Sequence, residues 1–277
     1  FYEKIRISIL MLVLLCLSVC VGGCNEKQLD DSKQTDNERI SESKGSIEDE
    51  YIINGFDIRS IKEYPEIESA IRMSANVENG DLTRDDFLSV TNINLNNTGV
   101  QDISPLAALI NLTEVYLGNN NISDLSPLYG LINITELWLV DNDIVDISPL
   151  ANLKNLEILN LDVNSIEDLS PLSELTSIRW LSLQSNKIVD INSLSGLVNL
   201  TDARLCSNEI SDITPLSGWN KIERLSLSMN PITDISVLSN LKTLLQVMVV
   251  NCPIEDFSPL DHVENVEPCS RGGTVHE

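Results

Sequence analysis

Residues 134–155 read ITELWLVDNDIVDISPLANLKN, and residues 112–133 before them read LTEVYLGNNNISDLSPLYGLIN. Laid one over the other, the two stretches put apolar, Asn, Asp, Ser and Pro residues in the same slots. The 22-residue unit starts at Val90, Leu112, Ile134, Leu156, Ile178, Leu200, Ile222 and Leu244, and a partial ninth copy starts at Val266. Three positions into each copy stands an apolar residue: Ile93, Val115, Leu137, Leu159, Leu181, Ala203, Leu225, Val247. Two further on stands another, from Leu95 to Val249. That alternation has the two-residue period of a short strand with one buried face. A single such strand cannot bury itself, so the copies must stack, and their strands then form a parallel sheet over one continuous core.

After the strand, Asn120, Asn142, Asn164, Asn186, Asn208 and Asn230 share a slot that Thr98 fills in the first copy and Cys252 in the eighth. An amide there turns inward and must hydrogen-bond to the backbone of neighbouring coils, because an unpaired buried amide is costly. The second half of the unit reads Ile-x-Asp-Ile-Ser-Pro-Leu, as at residues 144–150 without a gap. Ser or Thr before Pro reads as a helix N-cap followed by Pro at the first helical position, hence one short helical or 3₁₀ turn per coil on the convex side. Ser193 and Val237 replace the Pro in two copies, where looser turns are expected. Asp102, Asp124, Asp146, Asp168, Asp190, Asp212, Asp234 and Asp256 lie two residues before the Ser slot. The local reading is an Asx hydrogen bond to the backbone, preferred over a ladder of metal ligands.

The unit length and the recurrent Asp-Ile-Ser-Pro-Leu resemble the internalin-like subclass of bacterial leucine-rich repeat proteins. The resemblance covers about residues 65–265. It implies an α/β fold: a right-handed solenoid with a concave parallel sheet, short 3₁₀ or helical convex turns and a helical N-terminal cap. It also implies a surface-exposed or secreted protein that binds another protein through the concave sheet.

Around the repeats, residues 1–24 combine Lys4 and Arg6 with an apolar run ending Val21-Gly22-Gly23-Cys24, which reads as a secretory signal and not as a fold element. The ending resembles a bacterial lipobox, with Cys24 as the lipid-bearing residue, so the protein is expected outside the cytoplasm and anchored to the cell membrane. The alternatives are an ordinary signal peptide and a membrane span. Residues 25–50 are polar and lack aromatics, too poor in apolar surface to offset ordering entropy, and read as a flexible tether of roughly 30 Å reach. Residues 51–89 read as the cap. Pro65 opens a helix with Ile67, Ala70 and Ile71 on one face and Gly80 at its exit. Thr83 and Asp86 form a capping box, flanked by Leu82 and Phe87 at hydrophobic-staple positions. Residues 266–277 read either as a minimal cap or as a copy cut short.

Acidic residues outnumber basic ones 42 to 18, a net charge of -24, which argues against nucleic acid as a partner. Neither His262 nor His276 has a nucleophile and carboxylate at catalytic spacing, and no phosphate loop or paired-cysteine motif occurs, so the chain reads as non-enzymatic and without a cofactor. Asp141, Asp143 and Asp162, at the strand exits of copies three and four, offer a calcium site, with solvated turn acids as the plainer reading. Cys206, Cys252 and Cys269 read as thiols, and Asn-x-Thr triplets such as Asn111-Leu112-Thr113 follow from the repeat register.

The remaining signal is on the outward face of the strands. The central outward slot holds Tyr116, Trp138, Asn160, Ser182, Arg204, Ser226 and Met248; the slot two earlier holds Glu114, Glu136, Ile158, Trp180, Asp202, Arg224 and Gln246. Tyr116, Trp138, Val140, Ile158, Trp180, Arg204 and Arg224 are therefore the candidate partner-binding residues: an apolar centre, acids on one side and arginines on the other. Trp219 instead takes a core leucine slot. A binding protein is the leading reading; an envelope scaffold and glycan recognition by the aromatic stripe are the alternatives.

Overall fold

The computed structural model describes residues 50–267. Cys24, residues 25–49 of the stretch read as a tether, Cys269 and His276 lie outside them. A short hairpin, β1 (Ile52–Ile53) and β2 (Phe56–Asp57), precedes a 3₁₀ helix over Ile58–Glu63 and two helices, α1 (Pro65–Ala75) and α2 (Arg84–Ser89). Nine three-residue strands follow: β3 (Asn92–Asn94), β4 (Glu114–Tyr116), β5 (Glu136–Trp138), β6 (Ile158–Asn160), β7 (Trp180–Ser182), β8 (Asp202–Arg204), β9 (Arg224–Ser226), β10 (Gln246–Met248) and β11 (Asn265–Glu267). They form one sheet in chain order, and every pairing is parallel. A 3₁₀ turn returns each coil to the next strand.

The hairpin was legible but missed: Asn54-Gly55 is the residue pair a tight hairpin turn demands, and both take positive φ, 47° and 83°. Helix α1 buries Ile67, Ala70 and Ile71. It ends earlier than Gly80, at Asn76, which takes the left-handed conformation (φ 56°) and donates its N–H back to Arg72 and Met73. The Thr83–Asp86 capping box forms, and Phe87 is fully buried beside it. The cap is tied to the first coil by Asn54 Nδ2 donating to the Ala107 carbonyl (3.0 Å) and Ser74 Oγ donating to that of Asn92 (2.8 Å).

Inside the coils the six asparagines form the ladder that their slot requires. Asn142 Nδ2 donates to the carbonyls of Leu117 (3.0 Å) and Leu139 (3.1 Å), while its Oδ1 accepts the Ile122 N–H (3.0 Å). Cys252 reproduces part of this, its Sγ donating to the Leu227 carbonyl at 3.3 Å. A second ladder runs along the strand entry: Asn111, Asn133, Asn155 and Asn199 each donate to a carbonyl one coil back, at 2.8–3.1 Å. Three of these, Asn111, Asn133 and Asn199, head Asn-x-Thr triplets, and their amides are thus engaged in the fold.

The convex turns correct the capping scheme. Ser or Thr is the first residue of the turn, not its cap, and the N–H of that residue is bound by the Asp two positions earlier in all eight copies, at 2.8–2.9 Å. The copies with Ser193 and Val237 are no looser, since Asn192 and Ser236 donate to Asp190 and Asp234 at the same 2.8 Å. Asp supplies the acceptor that fixes the turn, and Pro only pre-sets φ.

One residue per coil takes a left-handed backbone just after the strand: Asn97, Asn119, Asp141, Val163, Ser185, Ser207, Met229 and Asn251, with φ of 54–60°. Asn, Asp and Ser suit this conformation; Val163, β-branched and exposed, is strained there. The ninth copy is also re-registered. Val266 pairs with Val247, a step of 19 residues where the other coils step 22, because the last strand begins two residues after Val263, whereas β10 begins five after the equivalent Leu241.

Candidate functional site

Strands β4 to β9 set the site. Tyr116 lies opposite Trp138, Ile158 opposite Trp180, and Trp180 opposite Asp202, which in turn faces Arg224. Trp138 and Trp180 are on β5 and β7, about 10 Å apart at the usual strand spacing. Their rings nevertheless stack, with centroids 5.3 Å apart and an interplanar angle of 30°, so both lean inward over β6. Asn160, an outward residue of β6, is buried. Both rings remain half-exposed, whereas Trp219 is fully buried with its Nε1 donating to the Leu194 carbonyl (3.0 Å). Fully burying the first two would have been open to a core of this size; the fold presents them instead.

The stack extends in both directions. On the N-terminal side, Glu136 Oε1 accepts hydrogen bonds from Trp138 Nε1 (2.7 Å) and from the Tyr116 hydroxyl (3.0 Å). Burial, and then the carboxylates of Glu136 and Glu114 beside it, push the Tyr116 hydroxyl up to about 12. On the C-terminal side, the Arg204 guanidinium lies 5.2 Å over the Trp180 ring, a cation–π contact. Arg204 also approaches Asp202 at 3.6 Å, and Arg224 Nε donates to Asp202 at 2.7 Å, which raises the pKa of Arg224. Tyr116, Glu136, Trp138, Trp180, Arg204, Asp202 and Arg224 thus form one chain of contacts.

Of the residues singled out from sequence, Tyr116, Trp138, Trp180, Arg204 and Arg224 come together in that chain. Ile158 joins Trp138, Trp180 and Arg204 around a hollow of about 510 Å³. Val140 stands apart, on the strand exit of the β5 coil, where it packs across Gly118; a Cβ there would lie 2.8 Å from Val140 Cγ1. Two corrections concern charge. Arg204 and Arg224 are not isolated cations at a margin, because Asp202, whose side chain is 5% exposed, sits between them. Asp162 is not a turn acid awaiting a metal: it accepts the Ser182 hydroxyl (2.5 Å) and the Gln184 N–H (2.7 Å) of the next coil. Among the described residues no group of His, Cys, Asp or Glu is placed to hold a metal ion. Glu136, read from sequence only as negative charge at one side, and Asp202, read only as an outward residue, prove to be hubs that the sequence reading did not recognise as such. Each stands two residues before an aromatic or Arg on the same strand face, the one signal that could have found them.

Two segments, residues 89–130 and 132–174, match the family model described as Leucine Rich repeats (2 copies). The structure superimposes on an internalin C2 from Listeria monocytogenes with a TM-score of 0.71 and 33% sequence identity, over 74% of this chain and 92% of that one. A second internalin of that organism, InlF, gives 0.67 and 31%, over 73% and 68%. A plant peptide hormone receptor in complex with RGF2 shares the fold at a TM-score of 0.53 and 23% identity, over 61% of this chain and 30% of that one. No curated protein matches. With more than 30% identity across nearly all of internalin C2, the chain belongs to the internalin family of leucine-rich repeat proteins.

Proposed function

We propose that this chain is a non-enzymatic binding protein, displayed outside the cytoplasm on a lipid attached at Cys24, and that it holds a protein partner on its concave sheet around Trp138, Ile158 and Trp180. One observation carries the reading: two tryptophans on different strands stack on the solvent side of the sheet while the third lies in the core. Half-exposed aromatic rings with arginines beside them are the composition of interface hot spots. Tyr116 extends the surface beside Trp138, Val140 adds a separate apolar spot at the strand exit, and Arg204 and Arg224 with Asp202 between them supply the charged border. Glycan recognition is less well served, because Trp180 already stacks on Trp138 and carries the Arg204 guanidinium over its ring, which leaves less open face for a sugar to lie flat on. A net charge of -24 disfavours nucleic acid. Among the described residues no helix is long and apolar enough to cross a membrane; the anchor proposed is the lipid.

The test compares the wild type with Trp138→Ala and Trp180→Ala in pull-downs from host and envelope extracts. Each variant should keep its fold by circular dichroism while losing about 2 kcal/mol of affinity for whatever the wild type captures. Equal capture by all three would place the working surface elsewhere. The anchor is tested separately: Cys24→Ser should abolish labelling by a fatty-acid probe and partition into membranes, and undiminished labelling would refute it.

A further inference from the structure

Next to the aromatic hollow lies a second one, of about 320 Å³, lined by Arg204, Arg224, Asp202, Gln184, Gln246 and Met248. The two hollows share Arg204. Two guanidinium groups meet here over one carboxylate, which leaves a surplus of one positive charge in a strongly acidic protein. The side chains of Arg204 and Arg224 remain 47% and 53% exposed, whereas that of Asp202 is 5% exposed. Arg224 is held through Nε, and Arg204 is held by the Trp180 ring. Among the described residues, Asp202 is the only carboxylate within ion-pairing range of either. Asp202 therefore serves less to neutralise the pair than to fix it, with guanidinium nitrogens left for an incoming acceptor. A planar fork fixed in advance loses little freedom on binding a carboxylate.

We propose that the cleft between Arg204 and Arg224 is a carboxylate subsite, which takes an Asp or Glu side chain of the protein partner beside an apolar residue seated on Trp138, Ile158 and Trp180. The proposal rests on the concave-face reading above and adds the chemistry of the partner. A single surplus positive charge matches a carboxylate monoanion better than a phosphate dianion. Gln246, at the wall, supplies a neutral donor for the second oxygen, whereas Gln184 Nε2 already donates to Asp162 and Ser182.

The test is selection of a random peptide library, displayed on phage, against the full chain. Peptides with an acidic residue next to an apolar one should be enriched, and replacing that acid by its amide should weaken binding about ten-fold. That loss should shrink in high salt. Arg204→Gln, which leaves the Arg224–Asp202 pair in place and so keeps the buried carboxylate partnered, should erase the preference for the acid while apolar peptides still bind. Thermal unfolding of this variant confirms its fold, and Arg224→Lys provides a second variant that keeps a charge on Asp202 but loses the fork. Enrichment of apolar peptides with no acidic preference, or unchanged preference in Arg204→Gln, would overturn the subsite and leave the aromatic reading standing. Peptides that bind Trp138→Ala and Trp180→Ala as well as the wild type would overturn both. Preference for phosphopeptides over their Glu counterparts would overturn the carboxylate assignment.

Discussion

Val115, Leu137, Leu159 and Leu181 stand in one inward row of the sheet, and all are fully buried. Their immediate neighbours on the outward face, Tyr116, Trp138, Asn160 and Ser182, share neither size nor polarity. The two rows belong to the same three-residue strands, so local geometry does not separate them. What differs is the constraint. Each inward residue meets the same slot in the coil above and below, and packing to native density admits few alternatives. Outward residues answer only to each other and to solvent. Departures from the repeat are a cost on the inner face, whereas on the outer face they are where a binding surface can be written.

The largest test of that contrast is on the inner side. Asn142→Ala removes an amide that satisfies two carbonyls and one N–H, all buried, and should cost about 3 kcal/mol of stability in urea unfolding. Asn142→Cys, copying the slot at Cys252, should cost less; equal losses would mean that the hydrogen bonds matter less than the volume. On the outer side, Trp138→Ala should cost only about 1 kcal/mol, the worth of a stacked aromatic pair at a half-exposed site. A loss of several kcal/mol would make the ring a core residue and erase the contrast.

A smaller effect of opposite sign is expected where the repeat pattern itself is broken. Val163 takes a left-handed backbone where the other coils use Asn, Asp, Ser or, once, the unbranched Met229, so Val163→Asn should raise stability by about 1 kcal/mol. A destabilised variant would show that the exposed valine makes contacts that outweigh its strain.

The convex Asp ladder gives the smallest and most graded effect. Backbone hydrogen bonds from Thr214, Ser236 and Ser258 hold the carboxyls of Asp212, Asp234 and Asp256 below their ordinary pKa. A group depressed in the folded state stabilises it above its unfolded value of about 3.9. That contribution is lost as the pH falls through the lowered folded values. Melting temperature should therefore hold down to about pH 4 and then decline, with Asp234→Asn blunting the decline. Chelator should leave it unchanged at neutral pH, because these carboxylates engage backbone N–H groups. A drop reversed by calcium would reassign the ladder.

Much of the fold was legible because each element repeats its own cause. Six asparagines in one slot and eight aspartates in another leave little choice of partner, and the partners they find lie within the same turn or one coil back. The misreadings fall where a residue had two possible neighbours. Ser before Pro reads as the cap because that pair is a strong local signal, yet the Asp two residues earlier caps the turn by accepting the N–H of the Ser itself. Val266 was placed at the start of a ninth copy by counting, and the strand pairing moved it three slots.

The sequence by itself determined the stack of coils, the inward rows, the convex turns and which aromatics face outward, since all of these follow from periods of 2 and 22 residues along the chain. Only the tertiary structure decided what those outward residues do to one another. Trp138 and Trp180 are 42 positions apart and meet over β6, and Asp202 joins Arg204 on its own strand to Arg224 on the next. Such contacts depend on side-chain lean and on the packing of three or four strands at once, quantities that no spacing along one chain records.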